Sequence, residues 1–264
     1  MIASLPMYWR DETAEAWRGF WSGVQAAASS ALPPLIGPND LPEDWTQHWL
    51  DPNLLLSQTC SYPLRTVLRD RVTYVGTFDF GLDAPIGYYY SRFVKRARGV
   101  MPRRLAINSY DSQSGFAAGF EPLSQASDAS AYARHVDQII VTGSHTASLR
   151  AVADGRADGA YIDAVTYRLC KAFDPWGKAP FLAGRTRSTP GLPLITARGR
   201  DPAPLRAALA AACETSPWMG HRALGGLRGV VVLDEALYHA LPTPRAQSDR
   251  TSRQFDPAAR EPGR

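Results

Sequence analysis

Asn108-Ser109-Tyr110-Asp111-Ser112-Gln113-Ser114-Gly115 gathers hydroxyls, amides and a glycine at what reads as a strand-to-helix turn. The apolar run Leu105-Ala106-Ile107 before it reads as a buried strand. Phe116-Ala117-Ala118-Gly119-Phe120 after it can be helical, within a helix expected over 115–123. The first N–H groups of a helix have no partner inside it, and the dipole places partial positive charge there. Ser109, Ser112 and Ser114 can add O–H donors. Such a turn suits a small anion. It is equally the composition of an N-cap cluster, because Ser, Asp and Asn favour helix starts with no ligand present.

The same pattern recurs along the chain. Gln138–Val141 reads as a strand and runs into Gly143-Ser144-His145-Thr146-Ala147, where Ser144 can cap a helix with His145 in its first turn. A histidine facing an anion can donate its ring N–H. Asp163 follows the strand Ala160-Tyr161-Ile162, at the strand end that faces the ligand crevice in open α/β sheets. It can face that crevice or cap the helix beginning near Val165. Upstream, Leu54-Leu55-Leu56 leads into Ser57-Gln58-Thr59, again amide and hydroxyl donors after a buried strand. Tyr8, Trp9, Tyr62 and the run Tyr88-Tyr89-Tyr90 sit at strand ends or crossings, where one or two can line a pocket, and alternation puts Tyr88 and Tyr90 on one face with Tyr89 opposite. The set is polar and mostly neutral, which fits hydrogen bonding to a desolvated oxyanion. No His, Asp or Glu cluster has metal-ligand spacing, and no cofactor or metal is expected.

Around these turns the periodicity predicts alternating strands and helices. Ile2 to Leu5 is a strand ended by Pro6. Asp11 caps a helix whose apolar face is Ala14, Trp17, Trp21, Val24 and Ala28. Residues 33–51 read as loop, 64–69 as a short helix, 72–78 as a strand and 202–214 as a helix with Pro202 in its first turn. Alternation of this kind implies an α/β fold with largely parallel sheets. Composition changes near 81–90 and 185–193 suggest two crossings between lobes. Residues 1–87 with 189–241 form one expected lobe and 88–188 the other. From 242 to 264 the chain is polar, rich in Arg, Pro and Ser, and expected to be disordered.

The 264 residues are enough for a substantial core. The net charge of +4 comes from scattered arginines rather than a dense basic block, so nucleic acid is not an expected partner. Three distant cysteines, Cys60, Cys170 and Cys213, support neither a disulfide framework nor a zinc site. No run is long and apolar enough to span a bilayer. The N-terminus lacks the features of a secretory signal, so the sequence as encoded reads as cytoplasmic.

Taken together, Ser57-Gln58-Thr59-Cys60-Ser61-Tyr62-Pro63-Leu64, the Asn108–Gly115 segment, Gly143-Ser144-His145, Gly155-Arg156-Ala157-Asp158 and Ile162-Asp163 resemble the phosphate/phosphonate-binding proteins of ABC transporters over residues 1 to about 240. The resemblance implies a type II periplasmic-binding-protein fold, in which two α/β lobes joined by two crossing strands close on a ligand. It implies that Ser112, Gln113 and Ser114 hold an oxyanion, that Tyr62 and Tyr88 contact the ligand, that His145 adds a donor and that Asp163 receives an amino group. Tyr8, Ser57, Gln58 and Ser109 complete the expected ligand-binding set. An ABC permease is the implied partner, and a periplasmic location the implied setting. Asp111, beside the anion site, would either cap backbone N–H groups or meet a cationic part of the ligand. Two other readings compete: a cytoplasmic ligand-sensing module, and an enzyme using Ser114, His145 and Asp163 as nucleophile, base and orienting group. The nucleophile-elbow pattern G-x-S-x-G is absent.

Overall fold

The computed structural model describes residues 1–120, 135–174 and 180–243. In chain order its elements are β1 (Ile2–Ser4), α1 (Asp11–Ala27), β2 (Leu35–Ile36), α2 (Trp45–Trp49), β3 (Leu54–Gln58), α3 (Ser61–Arg65), β4 (Val72–Asp79), β5 (Tyr88–Tyr89), β6 (Ser91–Lys95), β7 (Arg104–Ile107), β8 (Gln138–Val141), α4 (His145–Ala153), β9 (Gly159–Asp163), α5 (Ala164–Phe173), β10 (Phe181–Arg185), β11 (Thr189–Pro190), β12 (Pro193–Ala197), α6 (Ala203–Thr215), β13 (Gly229–Val231) and α7 (Ala236–His239).

These strands build two sheets joined by a ladder. The first has the order β13-β4-β12-β3-β1-β2, and the second β10-β6-β9-β7-β8. Between them β5 and β11 pair antiparallel, Tyr88 opposite Pro190 and Tyr89 opposite Thr189, so the chain crosses between the sheets twice. The fold is the two-lobed α/β architecture expected from the sequence. The expected parallel sheets are not found: of the pairings described, four are parallel and six antiparallel. The double crossing is the reason. The returning chain enters the first sheet as β12, running against both β3 and β4.

The first lobe's core is aromatic. Along α1, Trp17, Phe20, Trp21 and Val24 recur at helical spacing and are buried. Trp17 and Phe20 meet Phe78 of β4 at 5.9 and 5.8 Å between ring centroids. On the other flank of the helix its apolar residues join Leu205, Ala208, Leu209 and Ala212 of α6. The second lobe has a smaller core from Val94, Ala106, Leu149, Val152, Ala160 and Ile162. α5 links the two: its chain belongs to the second sheet, yet Val165 and Leu169 are buried in the first lobe's core.

Three local expectations need correction. The α1 cap is not Asp11; the Thr13 hydroxyl accepts the Arg10 N–H at 2.8 Å, and Asp11 is already helical. The stretch 33–51 is not all loop, since β2 and α2 form within it. Asp44 Oδ1 accepts the Thr46 N–H at 2.8 Å and starts α2, and Trp45 and Trp49, four residues apart, pack edge to face at 5.8 Å. The helix expected over 115–123 is, in its described part, a turn followed by a 3-10 segment, Ala117–Phe120. Ala117 and Ala118 N–H groups reach back to the Ser112 and Gln113 carbonyls at 2.9 and 2.8 Å. Two glycines within five residues, Gly115 and Gly119, weaken helix propensity there. The remainder of that expected helix, and the expected disordered tail from residue 244, lie outside the described residues.

Trp17 is fully buried at the centre of the first lobe's aromatic cluster. Trp17→Ala is expected to lower the unfolding free energy by about 3–5 kcal/mol, measured by urea denaturation.

Candidate functional site

A cleft of about 610 Å³ opens between the lobes, a size typical of small-molecule sites. The first lobe contributes Trp9, Glu43, Asp44, Trp45, Trp49 and Cys60. The second contributes Asn108, Ser109, Asp111, Ser112, Ser144 and His145.

The second-lobe wall is made by two strand ends. At the end of β7, Ser112 Oγ accepts the Gly115 N–H at 3.0 Å and shapes the turn. A Cβ at Gly115 would overlap Asn108 Oδ1 and press on the His145 ring, so a side chain there requires the Asn108 amide to move. The Ser114 hydroxyl and His145 Nε2 lie 2.8 Å apart, so the two residues that the sequence placed on separate turns are brought together. His145 opens α4, which Ser144 caps by accepting the Ala147 N–H at 3.1 Å. Burial pushes the imidazole down to about 4, against a smaller upward pull from the Tyr161 main chain, so the ring is neutral at ordinary pH.

Asp163, at the end of β9, is 2% exposed. Its Oδ1 accepts the Val165 and Thr166 N–H groups at 2.7 and 2.9 Å and so caps α5. Its Oδ2 accepts the Tyr8 hydroxyl at 3.0 Å, across the lobes. Burial pushes the carboxyl up to about 6, and the Thr166 N–H, the Tyr8 hydroxyl and the Val165 N–H pull it back. Tyr8 is itself raised, by burial and then by the neighbouring Asp163 charge. A second bridge between the lobes is the fork of Arg10 on Asp174, at 2.6 and 3.2 Å.

The other expected ligand residues divide. Ser109 and Ser112 line the cleft. Gln113 faces the first lobe, where its Oε1 accepts Arg65 Nη1–H at 2.6 Å. Gln58 is fully buried with both amide atoms unpartnered. Ser57 is turned away from the cleft: its hydroxyl meets Ser4 Oγ at 2.9 Å and His48 Nε2 at 3.0 Å inside the first lobe. Tyr62 lies under the Arg65 guanidinium, 4.6 Å from ring centroid to Cζ. Tyr88 lines a separate hollow of about 210 Å³ with Arg187, Pro190 and Leu237. Tyr89, among the tyrosines expected at the crossing but outside the expected ligand set, has a buried hydroxyl near Ser114, Cys60 and Asp163. The expected alternation of the three tyrosines fails because β5 ends at Tyr89 and β6 begins only at Ser91, leaving Tyr89 and Tyr90 both buried. Trp9, expected among the aromatic residues at strand ends, lines the cleft, as do Trp45 and Trp49, which the sequence reading missed because they lie in the stretch expected to be loop. Among the described residues no disulfide joins any of the three cysteines. Among the described residues no group of three or more His, Cys, Asp or Glu is placed to hold a metal ion, and no helix is long and apolar enough to cross a membrane.

Solved structures with this fold include a binding-protein component of an ABC phosphonate transporter from Pseudomonas aeruginosa, 12% identical over 90% of this chain and 82% of that chain, with a TM-score of 0.66. PhnD1 from Prochlorococcus marinus in complex with methylphosphonate is 12% identical over 90% of this chain and 94% of that one, at 0.62. XAC2383 from Xanthomonas citri bound to ATP is 14% identical over 91% and 94%, at 0.59. At such identities the likeness shows the fold. No family model and no curated protein matches the chain.

Asp163 and His145 give stability opposite pH dependences. The native carboxyl sits above its ordinary 3.8, so its contribution is full below that value and is lost as pH rises through about 6. The native imidazole sits below its ordinary 6.5, so its contribution is full above that value and is lost as pH falls through about 4. Relative to wild type, Asp163→Asn should therefore gain stability as pH rises from 4 to 6. His145→Gln should lose it from 4 to 6.5. Each change is on the order of 3 kcal/mol, read from urea unfolding across this range.

Proposed function

We propose that this chain is a solute-binding protein whose lobes close on a small ligand bearing a phosphonate- or phosphate-like oxyanion, and that it serves an ABC transporter permease. In this reading residues 1–87 and 189–241 form one lobe and 88–188 the other. The observation that carries it is the convergence of the Ser112–Gly115 turn and the start of α4 on one cleft walled by both lobes. Ser109, Ser112 and the neutral His145 present hydrogen-bonding groups there, with Ser114 behind His145 at 2.8 Å. α4 adds N–H groups and the positive end of its dipole. Tyr8 and Asp163 bond across the lobes, and Gln58 holds buried amide atoms with no hydrogen-bond partner among the described residues.

The enzymatic reading is weaker. A nucleophile, base and orienting group need consecutive hydrogen bonds. Ser114 does meet His145, but Asp163 spends both oxygens on Tyr8 and the α5 N-terminus. An imidazole held near 4 is also a poor base at neutral pH.

A thermal-shift screen against phosphate, phosphite, methylphosphonate, aminoalkylphosphonates and thiamine-like compounds tests the proposal. A ligand at 100 times its Kd should add about 2.7 kcal/mol of stability, a rise of roughly 5–10 °C for a protein of this size. Ser114→Ala should then weaken binding by about 1–2 kcal/mol in calorimetry. A wild-type protein that no compound in the screen stabilises would defeat the reading.

A further inference from the structure

α3 carries a charge that has no counter-charge among the described residues. Arg65 is 7% exposed. Its contacts are all neutral: the Gln113 amide oxygen at 2.6 Å, the Pro242 carbonyl at 3.0 Å and the face of the Tyr62 ring. Its Nε is buried with no hydrogen-bond partner. Among the described residues no carboxylate forms an ion pair with it, whereas Arg10, Arg104 and Arg185 find Asp174, Asp158 and Asp83.

Removing a guanidinium from water without an anion beside it costs several kcal/mol. A fold that keeps such a group is organised for an anion that comes from outside. What Arg65 grips shows where that anion goes. Gln113 lies between Ser112 and Ser114, in the turn that lines the cleft from the opposite lobe. The charged side chains lining the cleft are Glu43, Asp44 and Asp111, with no lysine or arginine among them. An oxyanion entering past those carboxylates is repelled unless a cation stands behind the turn, and Arg65 stands there.

We propose that Arg65 is the counter-charge for the ligand's anionic group and sets the site's specificity for oxyanions, acting through Gln113 as a positioning residue. The proposal rests on reading the cleft as a solute site and names the charge class of its ligand. It also gives closure a direction. Arg65 belongs to the first lobe, Gln113 to the second and Pro242 to the segment after α7. An anion on the turn therefore strengthens the clasp between the two lobes and draws in the C-terminal segment.

Two variants test this from opposite sides. Arg65→Met removes the charge at similar volume. Gln113→Glu places the missing carboxylate inside the chain, within reach of the guanidinium. The probes are inorganic phosphate, sulfate, methylphosphonate and acetate, with choline and thiamine as cationic controls. In wild type at least one anion should raise the melting temperature. Arg65→Met should lose that rise and bind the same anion at least tenfold more weakly in calorimetry, and Arg65→Lys should recover part of it. Gln113→Glu should melt higher than wild type without any probe and no longer respond to the anion. The proposal is overturned if Arg65→Met or Gln113→Glu keeps wild-type anion affinity, or if Arg65→Lys is as defective as Arg65→Met. It is also overturned if no anion stabilises wild type. In that last case, stabilisation by choline or thiamine would leave the solute-binding reading standing while the role of Arg65 falls, and no response to any compound would remove both.

Discussion

A single buried carboxylate ties the two lobes to each other and to their shared helix. Asp163 ends the central strand pairing of the second sheet, starts α5 through two N–H groups and takes the Tyr8 hydroxyl from the first lobe. Each bond favours the ionised form, while burial opposes it. The balance matters because α5 is the helix that carries Val165 and Leu169 into the other lobe's core. If the cap were lost, the first turn of α5 would be left with unsatisfied donors at the place where the lobes pack. Asp163 thus acts with the Arg10–Asp174 fork and the β5–β11 ladder to hold the cleft walls in place.

The cleft formed in this way has two kinds of chemistry on facing surfaces. Hydroxyls, a neutral imidazole and the Asp111 carboxylate line the second-lobe side, and indoles with two carboxylates line the first-lobe side. Neutral donors hold an oxyanion well in a dry site, where each bond is stronger than in water. Indole faces and carboxylates favour a cation or a flat ring. A ligand with an acidic head and an aromatic or cationic body meets both surfaces at once.

Much of this was legible in the sequence because the site is written at strand ends. Short apolar runs followed by Ser, Gly, Asn or His mark such positions locally, and Ser114 and His145 were legible for that reason. What could not be read is whatever depends on contacts between distant segments. The tyrosine run has no local feature showing that the ladder stops at Tyr89 and sends Tyr88 to another hollow. Ser57 and Gln58 are the last two residues of β3 rather than a turn after it, and the Ser57 hydroxyl is claimed by Ser4 and His48, partners 53 and 9 residues away. Arg65 is one arginine among many until its burial and its lack of a carboxylate are seen. Antiparallel pairing was misjudged for a related reason: alternation of elements gives their kinds, while their direction depends on which way the chain re-enters a sheet.

The order of strands has a consequence for how the protein is made. In the first sheet β12 separates β3 from β4, so the first eighty residues hold strands that cannot pair into one sheet until residues 193–197 exist. The second sheet draws all its strands from residues 91–185. As the ribosome releases the chain, the lobe encoded in its middle is the first able to complete its sheet. The earlier-encoded half waits with Trp17, Phe20 and Trp21 unprotected, an interval in which a nascent-chain chaperone has the most to shield.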